Sequence, residues 1–387
     1  MIALTNCKAV TISDGIIEQA TILVEDGLIK AVGTQVEIPA DAEIVDLTGK
    51  WVTPGFIDAH SHLAMGEPGV RGGGDDDNEA TDPVTPHVRM VDSLDPWSIG
   101  IPAARKGGFT AVCSLPGSAN VIGGVGVAVK LKDAECVQDL VLPGTEVMKK
   151  ALGENPKGCY GPQKRMPMTR MGIGAVLREA LYNAKQYSDE MAEAEKEGKP
   201  FKHNFKLDPL VPVVRGEMRC RVHCHRADDI LTAVRIGEEF GLDLVVEHCT
   251  EGFKVADILA KKNVKCVVGP LRLVPAKEEI WNCTMENPAI MEKAGCEFAL
   301  SADAQTMTRW LPEEVGIAMA YGLSEEAAFK GLTINAAKIL NLDHRMGTLE
   351  AGKDADIAIF DGHPLCNMTR CKATMIDGVF YFNELDK

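Results

Sequence analysis

The sequence predicts an α/β protein, a (β/α)8 TIM-like barrel carrying a small β-sandwich built from both chain ends. Three observations predict it. Histidines and an aspartate recur at the C-terminal ends of short apolar β-like runs, each ahead of a helix-like segment, which is where such a barrel keeps its chemistry. β-rich runs punctuated by turn signals occupy both ends of the chain. Its 387 residues, 45% of them hydrophobic, suffice for one large domain or two modest ones.

The N-terminal part alternates Ala9-Val10-Thr11-Ile12, Ala20-Thr21-Ile22-Leu23-Val24, the turn pair Asp26-Gly27 and Leu28-Ile29-Lys30-Ala31-Val32-Gly33, a pattern of hairpins in an antiparallel sheet. Ala355-Asp356-Ile357-Ala358-Ile359-Phe360 and the run from Ala373 to Tyr381 repeat that character near the other end. Residues 1–55 and 352–387 are therefore expected to form the β-sandwich and residues 56–351 the metal-dependent barrel.

The first barrel strand is read from Gly55-Phe56-Ile57-Asp58-Ala59-His60-Ser61-His62. Strand residues two apart face one way, so His60 and His62 can grip one metal ion, although a bare His-x-His serves equally well as a backbone-bonded pair. Later runs supply further ligand types: Arg221-Val222-His223-Cys224-His225, Leu244-Val245-Val246-Glu247-His248 and Phe298-Ala299-Leu300-Ser301-Ala302-Asp303.

Between these runs lie helix-like segments, Ala227 to Phe240 with apolar Ile230, Leu231, Val234 and Ile236, and Val176 to Gly198, whose polar second half reads as a solvated face. Gly66 to Pro86, with Arg71-Gly72-Gly73-Gly74-Asp75-Asp76-Asp77, reads as a solvated loop overhanging the site. Leu115 to Gly124 lacks the spacing and lysine of a P-loop and reads as a turn.

A net charge of -15 and no basic stripe argue against nucleic-acid binding. The N-terminus lacks a basic leader followed by a long apolar stretch, and no window reaches membrane-span length, which predicts a soluble cytoplasmic protein. The twelve cysteines are scattered, so reduced and mostly buried thiols are expected.

Thr53-Pro54-Gly55-Phe56-Ile57-Asp58-Ala59-His60-Ser61-His62 at the front and Gly347-Thr348-Leu349-Glu350-Ala351-Gly352-Lys353-Asp354-Ala355-Asp356 at the exit resemble the amidohydrolase superfamily, in its imidazolonepropionase-related and dipeptidase-like branch. The resemblance covers nearly the whole chain. It implies that His60 and His62 are first-strand metal ligands, His223 the fifth-strand ligand, His248 the sixth-strand ligand, and Asp303 the eighth-strand aspartate, both ligand and catalytic acid–base. Lys149, with Lys150 as its rival, would be the fourth-strand lysine that many relatives convert to a bridging carbamate.

The implied cofactor is a divalent metal, zinc by default, as one or two ions, with carbamylated Lys149 in the two-ion case. The implied reaction is hydrolysis of a C-N amide bond in a cyclic amide, N-acyl amino acid or dipeptide by metal-bound hydroxide. His225, Arg226, Arg170 and His87 are the candidates for substrate contact, the family using only the first histidine of the His223/His225 pair as a ligand. The expected partner is a small-molecule substrate, with neither nucleic acid nor membrane, and an isologous homodimer is the base-rate assembly.

Two alternatives are carried forward. Deaminases of the superfamily commonly place a glutamate shortly after the fifth-strand histidine, whereas here Cys224-His225-Arg226-Ala227-Asp228-Asp229 follows. A metal-free barrel scaffold would have lost ligands, and every expected type is present. After Asp303 the chain continues Ala304-Gln305-Thr306, where relatives often have His-Pro, so the substrate is left open.

Overall fold

The computed structural model describes residues 1–66, 76–304 and 307–386. The Arg71 to Asp75 part of the overhanging loop and Gln305-Thr306 lie outside the described residues. Eight strands stand side by side in chain order: β1 (Phe56–Ser61), β2 (Phe109–Ser114), β3 (Ile122–Lys130), β4 (Val147–Ala151), β5 (Cys220–Cys224), β6 (Leu244–His248), β7 (Lys265–Val268) and β8 (Phe298–Leu300). A parallel bridge between Ser61 and Asp303 brings the first strand against the end of the last, so the sheet closes as a barrel.

The strands form because both faces are apolar and buried. Ile57, Ala59, Ala111, Cys113, Val245, Val267 and Ala299 make one cluster, while a larger one joins the alternate strand residues to helices. The helix Ala227–Phe240 has the expected span and buries Ile230, Ala233, Val234, Ile236 and Gly237 at helical spacing. The long helix begins earlier than its sequence pattern, at Arg170 rather than Val176, because the Thr169 side chain caps it by accepting the Gly172 amide at 3.0 Å. Gly172 and Gly174 hide this first turn from a propensity reading.

One strand departs from the all-parallel scheme. β3 runs antiparallel to both β2 and β4, with Ser114 opposite Val127 and Gly124 opposite Lys149. The connection from β2 is therefore a loop at the mouth, without a helix. The segment read as a turn extends only to Val121, and Gly123 and Gly124 belong to the strand. At the far end of β3, buried Lys130 donates to Asp354 at 2.6 Å, to Asp356 at 3.1 Å and to Asp377.

Those aspartates belong to the part of the chain that leaves the barrel and joins an eight-stranded sheet shared by both chain ends. The strand Ile2–Val10 pairs with Ile16–Glu25 on one side and with Glu43–Asp46 and Trp51–Pro54 on the other. The strand Ile357–Phe360 returns antiparallel to Trp51–Pro54. Leu4, Ile22, Val24, Ile29, Val52, Ile357 and Met375 form this sheet's core. Among the described residues no helix is long and apolar enough to cross a membrane, and all twelve cysteines are unpaired thiols.

Candidate metal centre

His60 lies near the end of β1, and His62 follows on the loop. Two groups of donor atoms face one another at the mouth, His60 with His62 and Asp303, and His223 with His225 and His248, each group within 4.8 Å. The rings link the groups, with His60 4.7 Å and His223 4.4 Å from His248 between centroids. The residues expected as ligands on strands one, five, six and eight thus come together.

Their tautomers are fixed from behind. His225 Nδ1 stands 2.7 Å from the Thr250 hydroxyl, while His62 Nδ1 donates to the Leu115 carbonyl at 2.7 Å and His248 Nδ1 to the Gly269 carbonyl at 2.8 Å. His60 Nδ1 donates to Glu247 Oε2 at 2.7 Å. With each Nδ1 proton so placed, Nε2 carries a lone pair, the arrangement that orients imidazoles as metal ligands. The buried Nε2 atoms of His60 and His248 have no hydrogen-bond partner.

Asp303 Oδ1 stands 3.3 Å from His60 Nε2 and 3.4 Å from His62 Nε2. Three acceptor atoms at this spacing match the edges of a tetrahedron around an ion bonded at about 2.0–2.1 Å. Burial alone would raise the Asp303 carboxyl, but the imidazoles of His60, His62 and His248 hold it well below the usual range. Burial, with His248, Lys277 and Lys149 nearby, pushes His223 well below the usual imidazole value, and burial takes His248 down to about 3. Neutral imidazoles and an ionised carboxylate are the donor set a divalent cation requires.

Lys149 and Lys150 take opposite faces of β4. Lys150 Nζ donates to Cys220 Sγ at 3.1 Å, whereas the fully buried Lys149 Nζ has no hydrogen-bond partner among the described residues. Burial lowers Lys149 to about 8, despite the charges of Glu247 and Asp303. This is the environment that the carbamate expectation needs at Lys149 rather than at Lys150.

Three buried residues beyond those expected support the ligands. Arg221 pairs with Glu247, both fully buried, and its Nη2 donates to the Ala59 carbonyl at 2.6 Å. Asp58 accepts Thr308 Oγ1 at 2.9 Å, and burial raises its carboxyl to about 7. The sequence signal for the first pair was an arginine and a glutamate inside otherwise apolar strands, which only a buried counter-charge explains.

Backbone strain marks the same places, since His248 and Asp303 have φ of +69° and +65°. Strand alternation alone would send Glu247 and His248 to opposite faces. The left-handed bend at His248 ends the strand and lets both serve the site. Gly269, whose carbonyl holds His248, has φ of +143°, and an added Cβ would lie 2.0 Å from the Ser301 carbonyl. Gly269→Ala should cost about 1–3 kcal/mol from backbone and packing strain and loosen His248. Urea denaturation checks the first effect and metal titration the second; an unchanged midpoint would refute it.

The substrate-contact candidates are placed differently. Arg170 Nε donates to both Asp229 oxygens at 3.0 Å, and Arg226 is engaged by Asp228 and Glu278. Arg170 Nε and the Arg226 guanidinium are thus engaged in intramolecular pairs. His87 packs edge-on to Phe205, centroids 5.6 Å apart, with a buried, unpartnered Nδ1. His225, expected to face substrate rather than metal, stands in one donor group with His223 and His248.

The amidohydrolase family model matches residues 221–381. The crystal structure of an amidohydrolase from Thermotoga maritima MSB8 superposes with a TM-score of 0.95 at 42% identity, covering 99% of this chain and 100% of that one. An imidazolonepropionase of Maricaulis maris (strain MCS10) is 28% identical over 90% of this chain and 88% of its own length. Amidohydrolase tasK of Hapsidospora irregularis is also 28% identical over 94% of this chain, which spans 40% of that longer protein. With the match to the Thermotoga maritima chain end to end, this chain belongs to the amidohydrolase family of carbon–nitrogen hydrolases, on its imidazolonepropionase-like branch.

Proposed function

We propose that the chain is a metal-dependent hydrolase that cleaves a C-N amide bond in a small substrate, a cyclic amide, N-acyl amino acid or dipeptide. The convergence of His60 and His62 Nε2 on Asp303 Oδ1, with each Nδ1 proton held by a fixed acceptor, carries this reading. His60, His62 and Asp303 would hold one divalent ion, zinc by default, and His223 and His248 a second, with Lys149 between them. When bound, the metal supplies a water acidified to near neutral pH and a positive charge for the substrate carbonyl.

Asp303 accepts the proton of the attacking water and passes it to the departing nitrogen, restoring its carboxylate. It can do so because it is ionised before attack and because its side chain is partly exposed at the mouth. Lys149, lowered to about 8, is neutral in roughly a tenth of molecules at pH 7, enough to react with carbon dioxide. The carbamate would replace a buried cation by an anion facing two ions, removing the repulsion that an ammonium would impose.

The test is elemental analysis of protein purified without chelators and supplied with bicarbonate, followed by a hydrolysis screen over the three amide classes. Absence of bound metal together with absence of hydrolysis would refute the reading. Lys149→Ala should lower content from about two ions per chain to about one. Retention of both ions would remove Lys149 from the bridging position.

A further inference from the structure

The second donor group has a neighbour that the first lacks. The loop after β7 carries Glu279, 1% exposed, whose Oε1 lies 3.7 Å from the Nε2 atoms of both His223 and His225. Its place is built. Glu279 Oε2 accepts the Glu154 amide at 2.8 Å, and the Glu279 amide points back to Glu154 Oε2 at 3.4 Å. Gly153 leaves the room, since a Cβ there would lie 2.6 Å from Glu279 Oε2.

His225 shows the same preparation as the other histidines. Its Nδ1 is 2.7 Å from Thr250 Oγ1, and its Nε2 faces Glu279 Oε1. The Glu279 carboxylate, buried against these ring nitrogens, needs a cation between or beside them. Lys277 Nζ, 2.5 Å from Oε1, supplies one, and it also donates to Asn155 Oδ1 at 2.9 Å. Lys277 sits on a partly exposed side chain with that second partner, so it can withdraw when a stronger cation arrives.

Resting on the metal-dependent reading above, we propose that Glu279 and His225 are ligands of the second divalent ion, completing with His223 and His248 a set of four side-chain donors. The separations of 3.7 Å are close to the edge of about 3.3 Å expected around a tetrahedral zinc. The two ions then differ in kind. Apart from the Lys149 bridge, the ion at His60, His62 and Asp303 would have three side-chain donors and the other would have four.

The experiment is elemental analysis and zinc titration of the full chain with bicarbonate, comparing wild type, Glu279→Gln and His225→Asn. Glutamine keeps an oxygen for the Glu154 amide, and asparagine keeps a donor toward Thr250. Wild type should hold about two ions and each variant about one, with metal-free thermal midpoints alike. If Glu279→Gln fails to fold, His225→Asn decides alone. Variants that retain both ions with unchanged affinity overturn the proposal, as does a wild type that takes up only one. A wild type that binds none overturns the metal-dependent reading itself.

Discussion

Asp303→Asn should lower turnover by about 10²–10⁴-fold, the range associated with removal of a positioned acid–base group. Asparagine preserves volume and an oxygen toward the metal but cannot take a proton. The carboxylate stands against His60 and His62, and its positive φ of +65° commits the backbone to presenting it there. Steady-state kinetics on the substrate found by screening checks the expectation, with metal content measured on the same sample. The loss should fall on kcat rather than KM, and near-normal turnover with a full metal complement would remove Asp303 from the proton path.

Arg221→Met should destabilise the protein by about 3–5 kcal/mol, because it leaves the Glu247 carboxylate buried without its counter-charge. Burial would raise Glu247, but Arg221 and His60 bring it down to about 2. That depressed carboxyl stabilises the fold above its usual value of 4.5, and the contribution fades as pH falls toward 2. The variant should lose this acid-limb dependence as well as stability. Arg221→Met/Glu247→Gln should recover much of the loss, since glutamine can still accept from His60 and carries no charge. Urea denaturation at pH 7 and at lower pH measures both effects; a loss below about 1 kcal/mol would show that the pair is not buried as described.

The residues legible in the sequence were those whose position is set by strand periodicity and motif. His60 and His62 lie two apart, and His223, His248 and Asp303 each end an apolar run, and the superfamily resemblance assigned all five to one site. Lys149 was preferred to Lys150 on the resemblance of its segment, and the register of β4 puts the two on opposite faces. Glu279 was not legible, since it sits in a loop whose path has no periodic signature, and it reaches the site through a glycine far away in sequence. The reversed β3 was hidden for a related reason. Apolar runs report strands but not their direction, and here the missing clue was the absence of a helix between Ser114 and Ile122. Arg170 and Arg226 were candidates for substrate contact, and their partners, Asp229 among them, could not be assigned by spacing.

Strand β3 begins at the mouth beside Lys149 and ends at Lys130, clasped by three aspartates from the returning chain. A protein engineer seeking a smaller catalyst would be tempted to trim the terminal strands and keep the barrel alone. The trimmed barrel would keep an ammonium in its wall with its anionic partners cut away, at the end of the strand that flanks Lys149. Minimisation should begin elsewhere, at the exposed last turn of the helix Arg170–Glu197, beyond Ser188, which accepts Arg215 Nε at 2.9 Å.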